Sequence, residues 1–574
     1  MHHVGKAWST LISFDNQENV KSQRLALYQR GITTTEMEKP WFSSWPSEVP
    51  RKLLYPDVSL HEILQKTARE HPEKIAIAYR GCELTYKNLD TLSNKFAGAM
   101  AALAVRKGDK VALFLPNIPQ FIIAYYGALK AGTVITAISP LHREREVEYQ
   151  LNDSGAETVV TLDSLYPIVA NVWGKTQLKH GIVTSLESFA SKAGENLKVH
   201  SFLQLLEKNS PNPPNVKISP SADLAALQYT GGTTGTAKGA MLTHRNLVAN
   251  TFAFASWIRG TIAKETFLTA LPLFHIYGMT TSMNVPISLA AKMVLIPRFE
   301  TTMALTTIQK QKVTVFCGVP TMFAALLANP NIATYDLASI RVFISGASPL
   351  PPHVQRRFME VTGGFLGEGY GLTEASPVTH CNPVDRTTQT VRLGSIGLPL
   401  PDTDACILDL ETGKNYLEPN ATGELAVRGP QVMKGYWKRP QDTALVLRDG
   451  WLLTGDIGRM DREGYFYITD RKKDLIKYKD FSVYPREIED VLYEHPAVKL
   501  CAVVGEPDPD LGEIPKAYIV LKEGAKATSD EIVRFVEEKV ASYKRIREVE
   551  FRKELPISSA GKVLKRILRK ARQT

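Results

Sequence analysis

The chain has 574 residues, of which 44% are hydrophobic and 22% charged, with a formal net charge of +10. Such a chain can bury several cores and is too mixed to be disordered, collagenous or membrane-embedded, so a multidomain globular protein is expected. The basic excess suits anionic small molecules, a membrane surface or nucleic acid, and charge alone does not choose among them.

Cys82, Cys317, Cys381, Cys406 and Cys501 are odd in number and never spaced Cys-x-x-Cys. This argues against a disulfide framework or a zinc site and for a reducing, cytoplasmic setting. Residues 1–36 show no clear periodicity and no charged segment followed by a long apolar run, so no secretory leader is expected. The apolar stretches 111–131 and 279–297 are broken by Pro116, Pro119, Pro286 and Lys292 and read as buried strands and helices rather than membrane spans.

From about 58 to 215 helical and strand patterns alternate. Leu89, Leu92, Phe96, Met100 and Leu103 recur at helical spacing within 86–104; a strand is predicted at 110–115, a helix at 120–130 and a strand at 133–138. Alternation of this kind implies crossover connections and a parallel sheet buried on both faces. The proline-rich segment 207–220 reads as a surface linker into a strand over 224–229.

Residues 228–246 follow, Gln-Tyr-Thr-Gly-Gly-Thr-Thr-Gly-Thr-Ala-Lys-Gly-Ala-Met-Leu-Thr-His-Arg-Asn, and suit a backbone that wraps an anion. Gly231, Gly232, Gly235 and Gly239 let main-chain N–H groups converge on one oxygen. Thr230, Thr233, Thr234 and Thr236 add hydroxyls, and Lys238 adds charge. The kinase and ATPase loop needs Lys directly after its last Gly, and here Ala237 and Thr236 intervene, so that pattern fails. A flexible Gly/Thr linker is the bland alternative.

The Tyr-Thr-Gly-Gly-Thr-Thr-Gly-x-x-Lys-Gly core resembles the ATP signature of the adenylate-forming acyl-CoA synthetases, most closely the bacterial and archaeal long-chain fatty-acid–CoA ligases. The resemblance runs from about residue 37 to the C-terminus. It implies that translation begins at Met37, that His275 within 271–278 borders the acyl site, and that Gly318 and Val319 within 316–323 line the carboxylic-acid pocket. Read without it, His275 is a core histidine and 316–323 is core.

Residues 342–350 form an apolar strand ending in small residues, Gly346, Ala347 and Ser348, against which an adenine ring could lie. The segment 367–377 brings Glu368, Gly369, Tyr370 and Gly371, with Tyr370 suited to stacking, beside Thr373 and Glu374. Glu374 with Thr230 is the candidate Mg²⁺ site, since Mg²⁺ held through nucleotide phosphates takes one or two protein oxygens; the alternative for Glu374 is a helix N-terminal carboxylate. Shorter turn-rich strands are expected over 394–399, 423–428 and 435–437. Asp456, behind Gly455 in a turn, can accept both ribose hydroxyls, and the resemblance adds Arg471 beside it, Lys477 among the nucleotide-binding positions and Lys473 as a hinge. Beyond the hinge a helix from Pro485, strands over 500–504 and 517–521 and a helix capped by Ser529 are predicted. Lys562, after a small-residue turn, is the lysine that would sit between acyl carboxylate and α-phosphate.

The expected fold is α/β: a large N-terminal domain of mostly parallel sheets with flanking helices and a turn-rich β subdomain, and a small mobile α+β C-terminal domain. The domains read as an extension at 1–36, an AMP- and acyl-binding domain at 37–470, a hinge at 471–476 and a mobile domain at 477–574. The expected activity is activation of a fatty acid by ATP through an acyl-adenylate, with Thr230, Glu374 and Lys562 catalytic, followed by transfer to coenzyme A. A non-CoA acceptor, an aryl acid and a non-catalytic nucleotide-binding regulator are the alternatives. Fatty acid, ATP and coenzyme A are the expected partners, without nucleic acid; peripheral membrane contact and a homodimer stay open. Asp480 stands where the resembled family usually has Gly, on a loop that would line the pantetheine tunnel, and an unpaired carboxylate there would slow thioester formation.

Overall fold

The computed structural model describes residues 39–187, 198–230, 237–384, 391–479, 481–558 and 562–570. The extension 1–36 with its proposed start at Met37, the loop residues Gly231, Gly232, Thr233, Thr234 and Gly235, and Asp480 lie outside them.

Two largely parallel sheets form the body of the molecule. In the seven-stranded sheet Lys110–Phe114 lies between Val134–Ala137 and Ala156–Leu162, all three parallel, and Leu224–Thr230 continues the sheet before an antiparallel return by Lys238–Thr243. In the nine-stranded sheet Leu366–Gly371, Val342–Ser345, Val315–Gly318, Thr266–Thr269, Lys292–Leu295 and Ile75–Tyr79 run parallel in that spatial order, with antiparallel strands at both edges. Their strands are short apolar runs because helices cover both faces, as sequence alternation implied. Helix Tyr86–Ala102 starts where Thr85 and Asn88 exchange side-chain and backbone hydrogen bonds, and packs on Pro119–Lys130, every residue of which is buried.

A third, antiparallel sheet spans Asp404–Arg471. The turn-rich reading of this region needs correction at two places. Within 394–399 only Leu398–Pro399 is strand, and 435–437 makes a single bridge through Tyr436 to Ala240. The backbone there is instead tied to Lys238–Thr243 by Met241 N–H to Gly435 O and Trp437 N–H to Gly239 O, each 2.8 Å. The last sheet, in the order Phe481–Val483, Ile476–Tyr478, Gly512–Leu521, Val498–Asp508, with Glu548–Phe551 parallel to Gly512–Leu521, carries helices Pro485–Glu494 and Ser529–Glu537. Thr528, not Ser529, caps the latter helix, because it is Thr528 that has the extended backbone and accepts Glu531 N–H. Among the described residues no helix is long and apolar enough to cross a membrane.

The parallel strands point their C-terminal ends into one crevice, where Thr230, Pro320, Gly346 and Gly371 all emerge. That is where an open α/β sheet binds ligands. The antiparallel sheet and the C-terminal unit close the other side.

A segment with no periodic signal fastens the body to the antiparallel sheet. Trp41 is 1% exposed and lies 6.1 Å from the Phe466 ring, and Trp45 lies 5.1 Å from Trp257. Gly464, at φ +84°, leaves room for this: a Cβ there would sit 2.2 Å from the Trp41 backbone. Lys39 pairs with Asp404, and Asp402 Oδ2 accepts Leu53 N–H at 2.8 Å. Removing a large buried aromatic costs about 3–5 kcal/mol. Trp41→Ala is therefore expected to lower the melting transition of the N-terminal body in calorimetry, while a melting temperature equal to wild type would show that the segment is dispensable.

Candidate active site

The crevice is a cleft of about 2870 Å³ with walls from the two parallel sheets, the antiparallel sheet and the C-terminal unit. At one end of the cleft stands Thr230, the last residue of its strand, directly opposite Lys238 in antiparallel register. Lys238 Nζ lies 2.8 Å from Asp442 Oδ1 and 5.3 Å from the centre of the Tyr436 ring. The Tyr436 hydroxyl donates to Glu374 Oε1 at 2.6 Å, and Glu374 O accepts Met433 N–H at 2.7 Å. Tyr436 is thereby held between carboxylates, and burial first, then the charge of Glu374, pushes its phenol far up. Glu374 and Thr230 both line the cleft with oxygen donors of the hard kind that Mg²⁺ prefers. Among the described residues no group of three or more His, Cys, Asp or Glu side chains could hold a metal, so a cation here would need ligand oxygens as well.

Gly346, Ala347 and Ser348 follow their strand into the cleft, Ala347 at φ +69°. Glu368, Gly369, Tyr370, Gly371 and Thr373 line the adjoining wall. The buried Glu368 carboxyl accepts Leu350 N–H through Oε1 and has no partner at Oε2 among the described residues; burial pushes it up to about 7, against the pull of Arg486. Asp456 is 4% exposed, and both of its oxygens are oriented: Oδ2 accepts the Tyr370 hydroxyl at 2.6 Å and Oδ1 pairs with Arg471 Nε at 2.9 Å. The antiparallel register places Asp456 opposite Arg471, so this ion pair follows from strand pairing.

His275, also on the cleft wall, precedes the helical turn Ile276–Met279, and its Nδ1 accepts Tyr277 N–H at 3.3 Å. Burial, then the charge of Lys562, lowers it to about 4. The imidazole is therefore neutral at pH 7 and, with Nδ1 accepting, carries its proton on Nε2. Gly318 and Val319 do not reach the cleft, whereas the next residues, Pro320 and Thr321, line it. The reason is packing: a Cβ at Gly318 would meet the Phe323 ring at 3.0 Å, and Val319 is buried.

Lys562 enters the cleft from the C-terminal unit. Its turn is closed by Ser558 N–H to Lys562 O at 2.7 Å and Lys562 N–H to Ser558 Oγ at 3.1 Å. Burial lowers its ammonium to about 8; Arg471 adds to this, and Asp456 and Glu374 oppose it. Lys473, in the turn after Phe466–Arg471, also lines the cleft and is lowered to about 8, chiefly by burial. Its carbonyl accepts from Arg569 at 3.5 Å. Lys477 lies away from the cleft wall on the strand Ile476–Tyr478, its Nζ 3.4 Å from Ser482 Oγ and its N–H bonded to Glu513. In this arrangement it does not meet the other nucleotide-side residues.

Asp442 and Tyr436 were missed by sequence reasoning. Asp442 sits in the first turn of helix Pro440–Val446, where an acidic residue reads as a complement to the helix dipole. Tyr436 is 62 residues from the glutamate it holds.

Two family models match: AMP-binding enzyme over 64–437 and AMP-binding enzyme C-terminal domain over 487–562. The chain is 42% identical over 552 residues to a long-chain-fatty-acid–CoA ligase of Bacillus subtilis (strain 168), covering 93% of this chain and 98% of that protein. It is 38% identical over 558 residues to a protein of the same name in Escherichia coli O157:H7, with the same coverage. Among solved structures, ATP-bound MatB from Rhodopseudomonas palustris superposes with TM-score 0.82 at 30% identity, covering 89% of this chain and 99% of that one. An anthranilate CoA ligase, AuaEII, in complex with anthranoyl-AMP superposes with TM-score 0.82 at 27% identity, covering 93% and 99%. The chain belongs to the AMP-binding enzyme family.

Proposed function

We propose that the protein is an AMP-forming fatty-acid–CoA ligase. In the first step a carboxylate oxygen of the acid attacks the α-phosphorus of ATP and pyrophosphate leaves, giving an acyl-adenylate. In the second the thiolate sulfur of coenzyme A attacks the acyl carbonyl carbon and AMP leaves. The observation that carries this reading is the position of Lys562, brought by a separate unit into the cleft beside Asp456, Arg471 and Glu374. Two anions must come within bonding distance there, and a compact, movable ammonium relieves their repulsion.

In this reading Asp456 takes the ribose hydroxyls, with Arg471 holding its carboxylate in place, and Tyr370 and the 346–348 backbone flank the base. Lys238 and the phosphate loop hold the leaving pyrophosphate. Mg²⁺, where bound, would be held by Thr230 and Glu374 and would offset triphosphate charge. Neutral His275 borders the acyl end, which Phe254 and Phe274 help to line. Long-chain acids are the favoured substrates because the bacterial relatives carry that name; the aryl alternative draws on the anthranilate enzyme and on a 4-coumarate–CoA ligase 1 of Oryza sativa subsp. japonica, 35% identical. A cytoplasmic location, a homodimer, peripheral membrane contact and the domain limits 37–470, 471–476 and 477–574 belong to the same proposal. AMP release with short, medium, long-chain and aromatic acids, with and without coenzyme A, tests it. Coenzyme A-dependent turnover greatest with long-chain acids is expected; turnover confined to aromatic acids, or indifferent to coenzyme A, would replace it with one of the alternatives.

Lys562→Ala should abolish acyl-adenylate formation and leave conversion of supplied acyl-AMP plus coenzyme A largely intact; equal loss of both half-reactions would remove the division of labour. Because the ammonium must be charged to act and titrates at about 8, wild-type adenylation should fall as pH rises through that value, and a rate flat to pH 10 would show that its charge is not required. Lys473→Pro should do the reverse of Lys562→Ala: proline fixes φ near −65° and would hold a turning hinge in one orientation. Adenylation should persist and thioester formation drop, whereas unchanged rates in both would make Lys473 a plain linker residue.

A further inference from the structure

The ammonium of Lys238 is already engaged. Asp442 Oδ1 lies 2.8 Å away, and the two side chains are 33% and 24% exposed, Asp442 the more so. Asp442 is held where it is by the start of its helix. Thr443 Oγ1 accepts Tyr436 N–H at 2.9 Å and donates to Arg439 O at 2.8 Å, which fixes the chain immediately before and around Asp442. The Tyr436 hydroxyl reaches on to Glu374. Asp442, Lys238, Tyr436 and Glu374 thus form one connected cluster at the phosphate end of the cleft, with two carboxylates to a single ammonium.

That balance is unfavourable to a polyanion. A triphosphate or pyrophosphate that draws Lys238 toward itself must first take it from Asp442. We propose that Asp442 is the counter-ion of Lys238 between turnovers: it surrenders Lys238 when ATP binds and recovers it as pyrophosphate leaves. This rests on the ATP reading of the site given above. Partly exposed Lys–Asp pairs are weak and readily exchanged, which suits a contact that is made and broken in each cycle. Asp442 acts through Lys238 and not on the reacting atoms, so it is a positioning residue. Its effect would be to weaken the hold on ATP and pyrophosphate alike, favouring departure of the product over its return.

Asp442→Asn keeps the size and removes the charge. Three quantities are measured on the full chain: KM for MgATP with kcat, the inhibition constant of magnesium pyrophosphate, and the dissociation constant of magnesium pyrophosphate by calorimetry. The KM and both pyrophosphate constants are expected to fall together by about two- to fivefold, the range an exposed ion pair supplies, with kcat shifting by a smaller factor. In a Lys238→Gln background the same substitution should shift none of them, because the partner through which Asp442 acts is gone. Constants that stay unmoved or rise, or an equal shift in the Lys238→Gln background, would overturn the assignment. A lowered melting temperature with unchanged constants would also overturn it, leaving Asp442 a complement to the helix dipole. If wild type catalyses fatty-acid-dependent ATP–pyrophosphate exchange and the constants do not respond, only the role of Asp442 falls; if wild type shows no such exchange, the ligase reading falls with it.

Discussion

Asp456 and Arg471 stand opposite each other on two neighbouring antiparallel strands, their side chains joined at 2.9 Å and almost withdrawn from water on the Asp456 side. Much of the site is referred to this pair. The second Asp456 oxygen holds the Tyr370 hydroxyl, which lies on a strand of the nine-stranded sheet, so the antiparallel and parallel layers meet at one carboxylate. Arg471 is the last residue of its strand, immediately before the turn that carries Lys473. Lys562, arriving from the far end of the chain, feels the charges of both. An ion pair buried on its carboxylate side contributes little net stability, yet removal of Arg471 would leave the Asp456 charge without compensation. Its value is geometric: it ties together the wall that carries Tyr370, the start of the turn that carries Lys473 and the field around Lys562.

The second constraint is electrostatic crowding. Glu374 and Asp456 line the one cleft in which, on the ligase reading, an acid and a triphosphate meet, and Asp442 is coupled to it through Lys238. The protein meets this with cations delivered from different parts of the chain: Lys238 from the phosphate loop, Arg471 from the antiparallel sheet and Lys562 from the C-terminal unit. Burial lowers Lys562 toward neutrality, which makes its charge responsive to what the cleft contains. His275 stays neutral beside it and adds no competing charge. The basic excess of the whole chain is in keeping with polyphosphate ligands, and in the proposed reading it is the placement of these few groups that matters for the chemistry.

Local pattern revealed much of this, and its failures have physical causes. Strands over 110–114 and 134–137 and the helix over 86–102 were legible because their apolar periodicity matches what they bury. Thr230, Glu374, Asp456 and Lys562 were singled out because each stands in a motif of unusual composition, Arg471 by the resemblance, and the structure places all five along one cleft. Gly318 and Val319 stand one or two residues before the cleft: the chain is still packing against Phe323 there and opens to the cleft only at Pro320. Lys477 was placed by resemblance, and its strand points it toward Ser482. The fastening segment at Trp41 and Trp45, and the cluster of Tyr436 with Asp442, rest on contacts between residues far apart in sequence. No window of neighbouring residues holds that information.

The central claim is that the acid's own oxygen attacks the α-phosphorus of ATP. It is tested most directly by turning over a fatty acid labelled with ¹⁸O in both carboxyl oxygens, with ATP and coenzyme A, and analysing the products by mass spectrometry. The account predicts AMP carrying one ¹⁸O atom in its phosphoryl group and pyrophosphate carrying none. Label in pyrophosphate or orthophosphate, or AMP without label, would contradict it.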